Sequence, residues 1–250
     1  MPTTTTTSYR IAAHLARNKK DLTLVECESQ FARCVRELFA RIRPTKIIET
    51  GTYWGTGTTT IIAAALRDLG LSDEGRFVSI EVNPKNLRRA QANLAKAGLN
   101  VELINGLSVP RKLLPSSEQI DRDLVQNVIA DSLVVDHEEP DRVRLYMGET
   151  DFPGLPDDML GVALAQFDFR PDFVLLDSGG HMGFVEFGYL ISQLRGPCHI
   201  ALDDIYHVKH YRSFQQIKQD ARFKVVAASE EKFGFCIARF EPGAGLKSTT

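Results

Sequence analysis

The residues from Ile47 to Thr60 constrain the fold of this chain most strongly. They read Ile-Ile-Glu-Thr-Gly-Thr-Tyr-Trp-Gly-Thr-Gly-Thr-Thr-Thr, which predicts a short buried strand, a tight turn and the start of a helix. The turn contains Gly51, Gly55 and Gly57, and glycine permits a sharp bend and the close approach of a ligand to the backbone. Because the first turn of a helix leaves N–H groups unpaired, this segment is suited to a nucleotide-like ligand.

Strands and helices alternate after Pro44. Short apolar runs predict five strands, with a helix after each and a closing antiparallel hairpin. The pattern indicates an α/β, Rossmann-like fold, with a mostly parallel seven-stranded sheet, helices on both faces and the antiparallel hairpin at the C-terminus. The predicted strands are Ile47–Glu49, Phe77–Glu81, Val101–Ile104, Phe173–Leu176, His199–Leu202, Lys224–Ala228 and Phe233–Arg239.

We expect one domain, formed by residues 45–240, between two flanking segments. Residues 1–44 are predicted to be a tail followed by covering helices, and residues 241–250 a second tail. Within the domain, residues 111–170 form an acidic insertion. One helix is predicted after a capping box at Ser116, and another begins at Pro156. Such an insertion can be a lid, a partner surface or a solvated cover over the edge of the sheet.

Composition excludes several classes of function. The net charge of -2 predicts no general affinity for nucleic acid or for an anionic membrane. No apolar run approaches the ~18 residues that span a bilayer, and the N-terminal residues lack the apolar core of a secretory signal. The four cysteines show no zinc spacing. We therefore expect a cytoplasmic protein with reduced thiols, whose N-terminal helix and insertion offer surfaces for a homodimer.

Acidic side chains follow four of the predicted strands: Glu49, Glu81, Asp177 and the pair Asp203-Asp204. Because ligands of parallel sheets bind outside the carboxyl ends of the strands, we expect these carboxylates to converge there. Glu81, after the second strand, is positioned to accept hydrogen bonds from both hydroxyls of a ribose. Each of these carboxylates could also be an ordinary solvent-exposed side chain at the end of a strand.

The turn itself narrows the choice of ligand. Its spacing, G-x-x-x-G-x-G, differs from the G-x-G-x-x-G of dinucleotide-binding folds, and no Gly-Lys-Ser/Thr follows for a triphosphate. This argues against a NAD-dependent oxidoreductase. Tyr53 and Trp54 lie in the turn, and an aromatic face suits a cation such as a sulfonium. Ordinary core packing is the alternative for Trp54.

Three segments together resemble the class I S-adenosylmethionine-dependent methyltransferases, and most closely the metal-dependent group similar to catechol O-methyltransferase. They are Ile48-Glu-Thr-Gly-Thr-Tyr-Trp-Gly55, Ser79-Ile-Glu-Val-Asn-Pro84 and Asn105-Gly-Leu-Ser108. The resemblance is close from Lys46 to Ser108 and looser from Pro171 to Asp204. It implies that the glycine turn holds the methionine part of S-adenosylmethionine, the glutamate after the second strand its ribose, and the serine its adenine. The cofactor residues expected on this basis are Glu49, Gly51, Tyr53, Trp54, Gly55, Glu81, Gly106, Ser108 and Asp177.

The resemblance also implies methyl transfer to the hydroxyl of a small molecule, assisted by Mg²⁺ or another divalent cation at Asp177, Asp203 and Asp204. Where that family has a lysine, three residues beyond the first metal aspartate, this chain has Gly180. His181 follows and could be the general base instead. His207 and Asp177 are the other catalytic candidates. Without a metal, Asp177 would orient a loop and the aspartate pair would cap a helix.

Two other functions remain open at this point. The run Asp177-Ser-Gly-Gly-His181 also resembles a methyltransferase-like branch that includes cephalosporin-hydroxylase-like proteins. That resemblance implies a metal-dependent oxygenase with His181 and the aspartates as ligands. The chain could also be a non-catalytic protein that binds an adenosyl ligand and works through its insertion. Tyr206, His207, Lys209 and His210 are expected to line the same site.

Overall fold

The computed structural model of the chain describes residues 29–128 and 141–243, with only the backbone of residues 124–128. Its strands form one seven-stranded sheet, whose strand bounds lie within two residues of those predicted. They are β1 (Lys46–Thr50), β2 (Arg76–Glu81), β3 (Glu102–Asn105), β4 (Phe173–Leu176), β5 (Cys198–Asp203), β6 (Phe223–Ser229) and β7 (Phe235–Phe240).

The strand order is β3-β2-β1-β4-β5-β7-β6. The five strands from β3 to β5 are parallel, and β7 runs antiparallel to both β5 and β6. This confirms the predicted fold class, including the antiparallel C-terminal hairpin. Since the chain leaves β1 toward β2 on one side and later enters β4 on the other, the strand order reverses between β1 and β4. Ligands of open α/β sheets bind at such a point.

Eight α-helices are assigned within the described ranges. Ser29 caps the first, where its hydroxyl accepts the N–H of Ala32 at 3.2 Å, and Asn83 caps the third in the same way, with Pro84 at the first helical position. None of these helices is both long and apolar enough to cross a membrane. They are α1 (Gln30–Ile42), α2 (Thr58–Asp68), α3 (Pro84–Lys96), α4 (Ser117–Val128), α5 (Asp141–Thr150), α6 (Met159–Gln166), α7 (Met182–Gln193) and α8 (Tyr211–Gln219).

Hydrophobic cores lie on both faces of the sheet because successive strand side chains point to opposite sides. In β1, Ile47 packs with the buried faces of α1 and α2, whereas Ile48 packs with those of α6, α7 and α8. Both isoleucines are fully buried. The sheet is therefore covered on both faces, and its strand ends remain as the place for a ligand.

The insertion is only partly as predicted. The capping box is confirmed: the Ser116 N–H donates to Gln119 Oε1 at 2.7 Å, and the Gln119 N–H donates to Ser116 Oγ at 3.3 Å. The helix predicted from Pro156 begins at Met159, and α5 was not predicted. The predictions for residues 1–28, 129–140 and 244–250 lie outside the described residues, and the division into domains stays a prediction.

Candidate active site

Gly51 brings the glycine turn against the end of the neighbouring strand β4. Its φ of +85° lies in the left-handed region, and a Cβ atom at this position would lie 2.1 Å from the carbonyl oxygen of Asp177. The Gly51 N–H donates to the Ile80 carbonyl of β2 at 2.9 Å. Only glycine fits this position without displacing backbone, so the turn spans the ends of β2, β1 and β4.

Glu49 lies beneath this turn and not at its surface. Its side chain is fully buried. The hydroxyls of Thr58, Thr59 and Ser79 donate to its two carboxylate oxygens at 2.7, 2.6 and 2.6 Å. Burial raises the pKa of Glu49 to about 7, although the three hydroxyls lower it in part. The geometry makes Glu49 a support that ties the turn to α2 and β2.

Glu81 is held at the end of β2 by backbone donors. The Tyr53 N–H donates to one carboxylate oxygen at 2.6 Å and the Asn83 N–H to the other at 2.8 Å. Burial raises the pKa of this carboxyl, while the two N–H groups and Asn86 lower it. With both oxygens fixed but each able to accept a second hydrogen bond, Glu81 is oriented for a ligand with two neighbouring hydroxyls.

The aromatic pair in the turn already has a cationic partner. Trp54 stacks on Tyr53, with ring centroids 4.6 Å apart, and the Arg89 guanidinium of α3 lies 3.6 Å from the centroid of the Trp54 ring. The Trp54 indole N–H donates to Asn86 at 3.3 Å. The ring that was expected to meet a sulfonium therefore packs on α3, and its cofactor role stays a prediction. Gly55 lies against the same helix, where a Cβ would be 3.2 Å from Leu94.

The loop after β3 faces the start of α6. Gly106 approaches this segment closely, since a Cβ would lie 2.7 Å from the carbonyl oxygen of Pro156. The buried Ser108 hydroxyl donates to Glu186 of α7. Gly106 and Ser108, two of the predicted cofactor residues, thus lie on one loop beside β2, and Ser108, predicted near the adenine, already has an internal partner.

Glu186 joins this loop to the end of β1 and to the loop after β4. Its carboxylate, fully buried, also accepts the hydroxyls of Thr50 at 2.9 Å and Ser178 at 2.7 Å. Burial raises the pKa of this carboxyl, and the hydroxyls lower it in part. The sequence interpretation missed Glu186, although one carboxylate in an otherwise apolar helix was a usable signal, because a buried charge requires partners.

The predicted metal ligands do converge. Asp177, Asp203 and Asp204 each offer an oxygen within 4.8 Å of the others, and we call them the carboxylate cluster. Asp204 has a φ of 58°, a left-handed conformation that aspartate tolerates and that follows directly on the last residue of β5. Burial raises the pKa of Asp177, and burial together with the charges of Asp204 and Asp177 raises that of Asp203 well above its ordinary value.

Whether the carboxylate cluster can bind a divalent ion depends on the position of Lys209. The donor set is suitable, because hard cations prefer carboxylate oxygens. However, the Lys209 ammonium lies 2.7 Å from Asp177 Oδ1 and 2.8 Å from Asp204 Oδ2. Burial alone would lower its pKa, yet the three aspartates raise it well above its ordinary value, so the side chain is charged. As arranged here, the residues do not fit a divalent ion, since a positive charge already bridges two of its three ligands.

The three histidines of this region lie in different environments. His210, fully buried, donates through Nε2 to the Leu176 carbonyl at 3.0 Å and is structural. His207 Nδ1 accepts the Lys209 N–H at 3.1 Å. His181 precedes α7 with only 6% of its side chain exposed, and its Nδ1 lies 4.0 Å from Glu149 Oε2. Burial lowers the pKa of His181 to about 4, so the ring is neutral at physiological pH.

The insertion covers the loop that carries Asp177 and His181. Glu149 of α5 accepts the Gly180 N–H at 3.0 Å, and a Cβ on Gly180 would lie 2.3 Å from the ring of Tyr146. Tyr146, with Ile120 of α4, also packs against Val208 next to Lys209. Sequence reasoning missed Glu149 and Tyr146 because α5 lacks a distinct apolar stripe. The described part of the insertion therefore forms one wall of the candidate site.

Several solved structures have the same fold, and two of those named here are O-methyltransferases. The O-methyltransferase from Bacillus cereus in complex with SAH matches with a TM-score of 0.51 and 16% identity, covering 94% of this chain and 89% of that chain. TomG from Streptomyces achromogenes, an O-methyltransferase involved in tomaymycin synthesis and solved with SAM, gives the same four values. Cofactor-bound Rv0187 from MTB matches with a TM-score of 0.50 and 16% identity, covering 94% and 88%.

No protein-family model matches the chain, and no curated protein matches it by sequence. At these identities the structural comparison concerns the fold. The resemblance inferred from the glycine turn, Glu81 and Ser108 is confirmed at that level. The chain has the Rossmann-like fold of the class I S-adenosylmethionine-dependent O-methyltransferases.

Proposed function

We propose that this chain is an S-adenosylmethionine-dependent methyltransferase that methylates a hydroxyl group of a small molecule. One observation carries the proposal. The Glu81 carboxylate is held by two backbone N–H groups beside the glycine turn, where the strand order reverses. Support comes from proteins of the same fold that were solved with SAM or SAH.

The cofactor would lie along the C-terminal ends of β1, β2 and β4. In this proposal Glu81 accepts hydrogen bonds from the ribose hydroxyls, and the backbone of Gly51 to Gly55 contacts the methionine part. Asp177, whose carbonyl touches Gly51, completes this side. Glu49 contributes indirectly, because its carboxylate already binds three hydroxyls of the chain. Gly106 and Ser108 form the adenine side through their loop.

The reaction would be a direct displacement. A lone pair of the acceptor oxygen attacks the methyl carbon of the sulfonium, the S–C bond breaks, and its electron pair remains on sulfur as a thioether. The hydroxyl proton leaves to a base. Much of the acceleration would come from holding oxygen and methyl carbon in line.

Between the two predicted bases, the geometry favours His181. In its neutral form His207 uses the lone pair of Nδ1 for the Lys209 N–H, which puts its own proton on Nε2. The Glu149 carboxylate lies 4.0 Å from His181 Nδ1 and would stabilise the imidazolium of His181. His181 thus receives the proton with an acidic neighbour in place.

Mg²⁺ is not part of this proposal, because Lys209 lies between its expected ligands. The oxygenase alternative has less support, since no histidine joins the carboxylate cluster among the residues that the structure describes, and oxygen-activating iron sites combine histidines with a carboxylate. A non-catalytic binder remains testable: it would bind S-adenosylhomocysteine but transfer no methyl group. The cytoplasmic location and the homodimer stay predictions.

The test is transfer of an isotopically labelled methyl group from S-adenosylmethionine to a panel of phenols, catechols and aliphatic alcohols. We expect label in an ether product, and an about 100-fold loss of turnover in His181→Gln with unchanged affinity for S-adenosylhomocysteine, as for the loss of a general base. Glu74→Ala is the control, because Glu74 is exposed before β2, away from the site. Binding without transfer to any acceptor would favour the non-catalytic protein. Equal turnover of His181→Gln and wild type would exclude His181 as the base.

A further inference from the structure

The ammonium of Lys209 lies within the carboxylate cluster, where a divalent ion would bind. It is within hydrogen-bond distance of Asp177 and Asp204, at 2.7 and 2.8 Å. An ion that bridged those oxygens would lie at about 2.1 Å from each, as Mg²⁺ requires. Two cations cannot share this space, since they would repel each other at short range in a buried site. Either Lys209 moves away or the ion does not bind.

The packing around Lys209 opposes its movement. Only 7% of its side chain is exposed, and its backbone N–H donates to His207 Nδ1. Helix α7 passes so close that a Cβ on Gly183 would lie 2.4 Å from the Lys209 carbonyl oxygen and 2.7 Å from its Cγ. The backbone and the stem of Lys209 are therefore held between α7 and the segment after β5.

The Lys209 ammonium can both hold the carboxylate cluster together and contact a substrate. An ammonium has three N–H donors. One of them donates to Asp177, the ammonium also forms an ion pair with Asp204, and no third acceptor contacts Lys209 Nζ among the described residues. The remaining N–H can donate to an oxygen of a substrate, which is the contact that a metal ion would otherwise make with an acceptor hydroxyl.

We propose that Lys209 replaces the divalent cation, so that the carboxylate cluster is a metal-independent centre in which a lysine ammonium binds the acceptor oxygen. The first part of this proposal concerns metal binding alone and does not depend on methyl transfer. The second part, the contact with an acceptor, rests on the proposed function. The three carboxylates still bind a positive charge, and the Lys209 ammonium supplies it.

Metal binding tests the first part directly. Mn²⁺ titrated into the wild-type chain, followed by electron paramagnetic resonance, should show no stoichiometric binding, whereas Lys209→Ala should bind one Mn²⁺ at least about tenfold more tightly than wild type. The matched control is Lys209→Ala with Asp204→Asn, which should lose that gain. Stoichiometric binding to the wild type, or no gain in Lys209→Ala, would overturn the proposal.

Removing a buried charge could also unfold the variant, so a second pair of measurements is included. Lys209→Met keeps the volume of the stem, and Mn²⁺ should raise the Tm of Lys209→Ala and Lys209→Met but leave that of the wild type unchanged. A Tm shift in wild type alone would contradict the proposal. Once an acceptor is known, turnover of the wild type should be the same in Mg²⁺ and in EDTA. A need for Mg²⁺ would refute the replacement without refuting methyl transfer.

Discussion

Replacing Gly51 with alanine should destabilise the chain more than any similar change at a glycine of the surface. A left-handed conformation costs a residue with a Cβ about 1–2 kcal/mol, and Gly51 has a φ of +85°. In addition the new Cβ would lie 2.1 Å from the carbonyl oxygen of Asp177, which forces backbone apart at a further cost of about 1–3 kcal/mol. We expect a total loss of about 2–5 kcal/mol in the free energy of unfolding.

The assay is urea denaturation, with Gly70→Ala as the matched control. Gly70 has a φ of +69°, but a Cβ atom added there would have no neighbour within 4 Å, so only the backbone cost of about 1–2 kcal/mol applies. The difference between the two variants isolates the contact between the turn and β4. Because the contact can be relieved only by a shift that misplaces the turn, methyl transfer should also fall by about 100-fold in Gly51→Ala alone. Equal destabilisation of the two variants would refute the reasoning.

Two further predictions follow from the buried titratable groups. Since the pKa of Glu49 is raised to about 7 in the folded chain, the folded state binds more protons than the unfolded state in this range. Between pH 5 and 7.5, wild type should therefore lose about 2 kcal/mol of unfolding free energy relative to Glu49→Gln. Urea denaturation of both proteins at the two pH values measures this difference. An equal change in unfolding free energy in the two proteins would contradict the burial of an ionisable Glu49. His181, with a pKa lowered to about 4, is already neutral at pH 6, so kcat/KM should show no decline from its protonation between about pH 7.5 and 5.5. A decline near pH 6.5 that His181→Gln abolishes would mean that the ring is not buried as described.

The sheet could be predicted from sequence because its signals are local. Short apolar runs and the glycine turn specify where strands end, and in a parallel sheet the strand ends meet at one edge. For this reason the sequence predicts that Glu81, Asp177 and the pair Asp203-Asp204 lie at one edge of the sheet. The carboxylate cluster of the structure lies at that edge.

What sequence reasoning could not provide was the partner of each side chain. Glu49 and Glu81 lie near the ends of neighbouring strands and have the same residue type, yet one lies in the core and the other at the ligand edge. Their roles depend on which hydroxyls and N–H groups surround them, and those come from distant segments. Lys209 is the sharpest example, since it follows Asp177 by many residues and its stem is positioned by Gly183 of a separate helix. The spacing of residues along the sequence does not predict such contacts between distant segments.

Calorimetric titration with S-adenosylhomocysteine tests the central claim, that Glu81 and the glycine turn form a cofactor site. We expect micromolar binding to wild type and to the control Glu74→Ala, with EDTA present. Glu81→Ala should bind at least about 100-fold more weakly, because two hydrogen bonds to a charged group, each of about 1.5–3 kcal/mol, are lost. No binding to wild type, or equal affinity of wild type and Glu81→Ala, would contradict the claim.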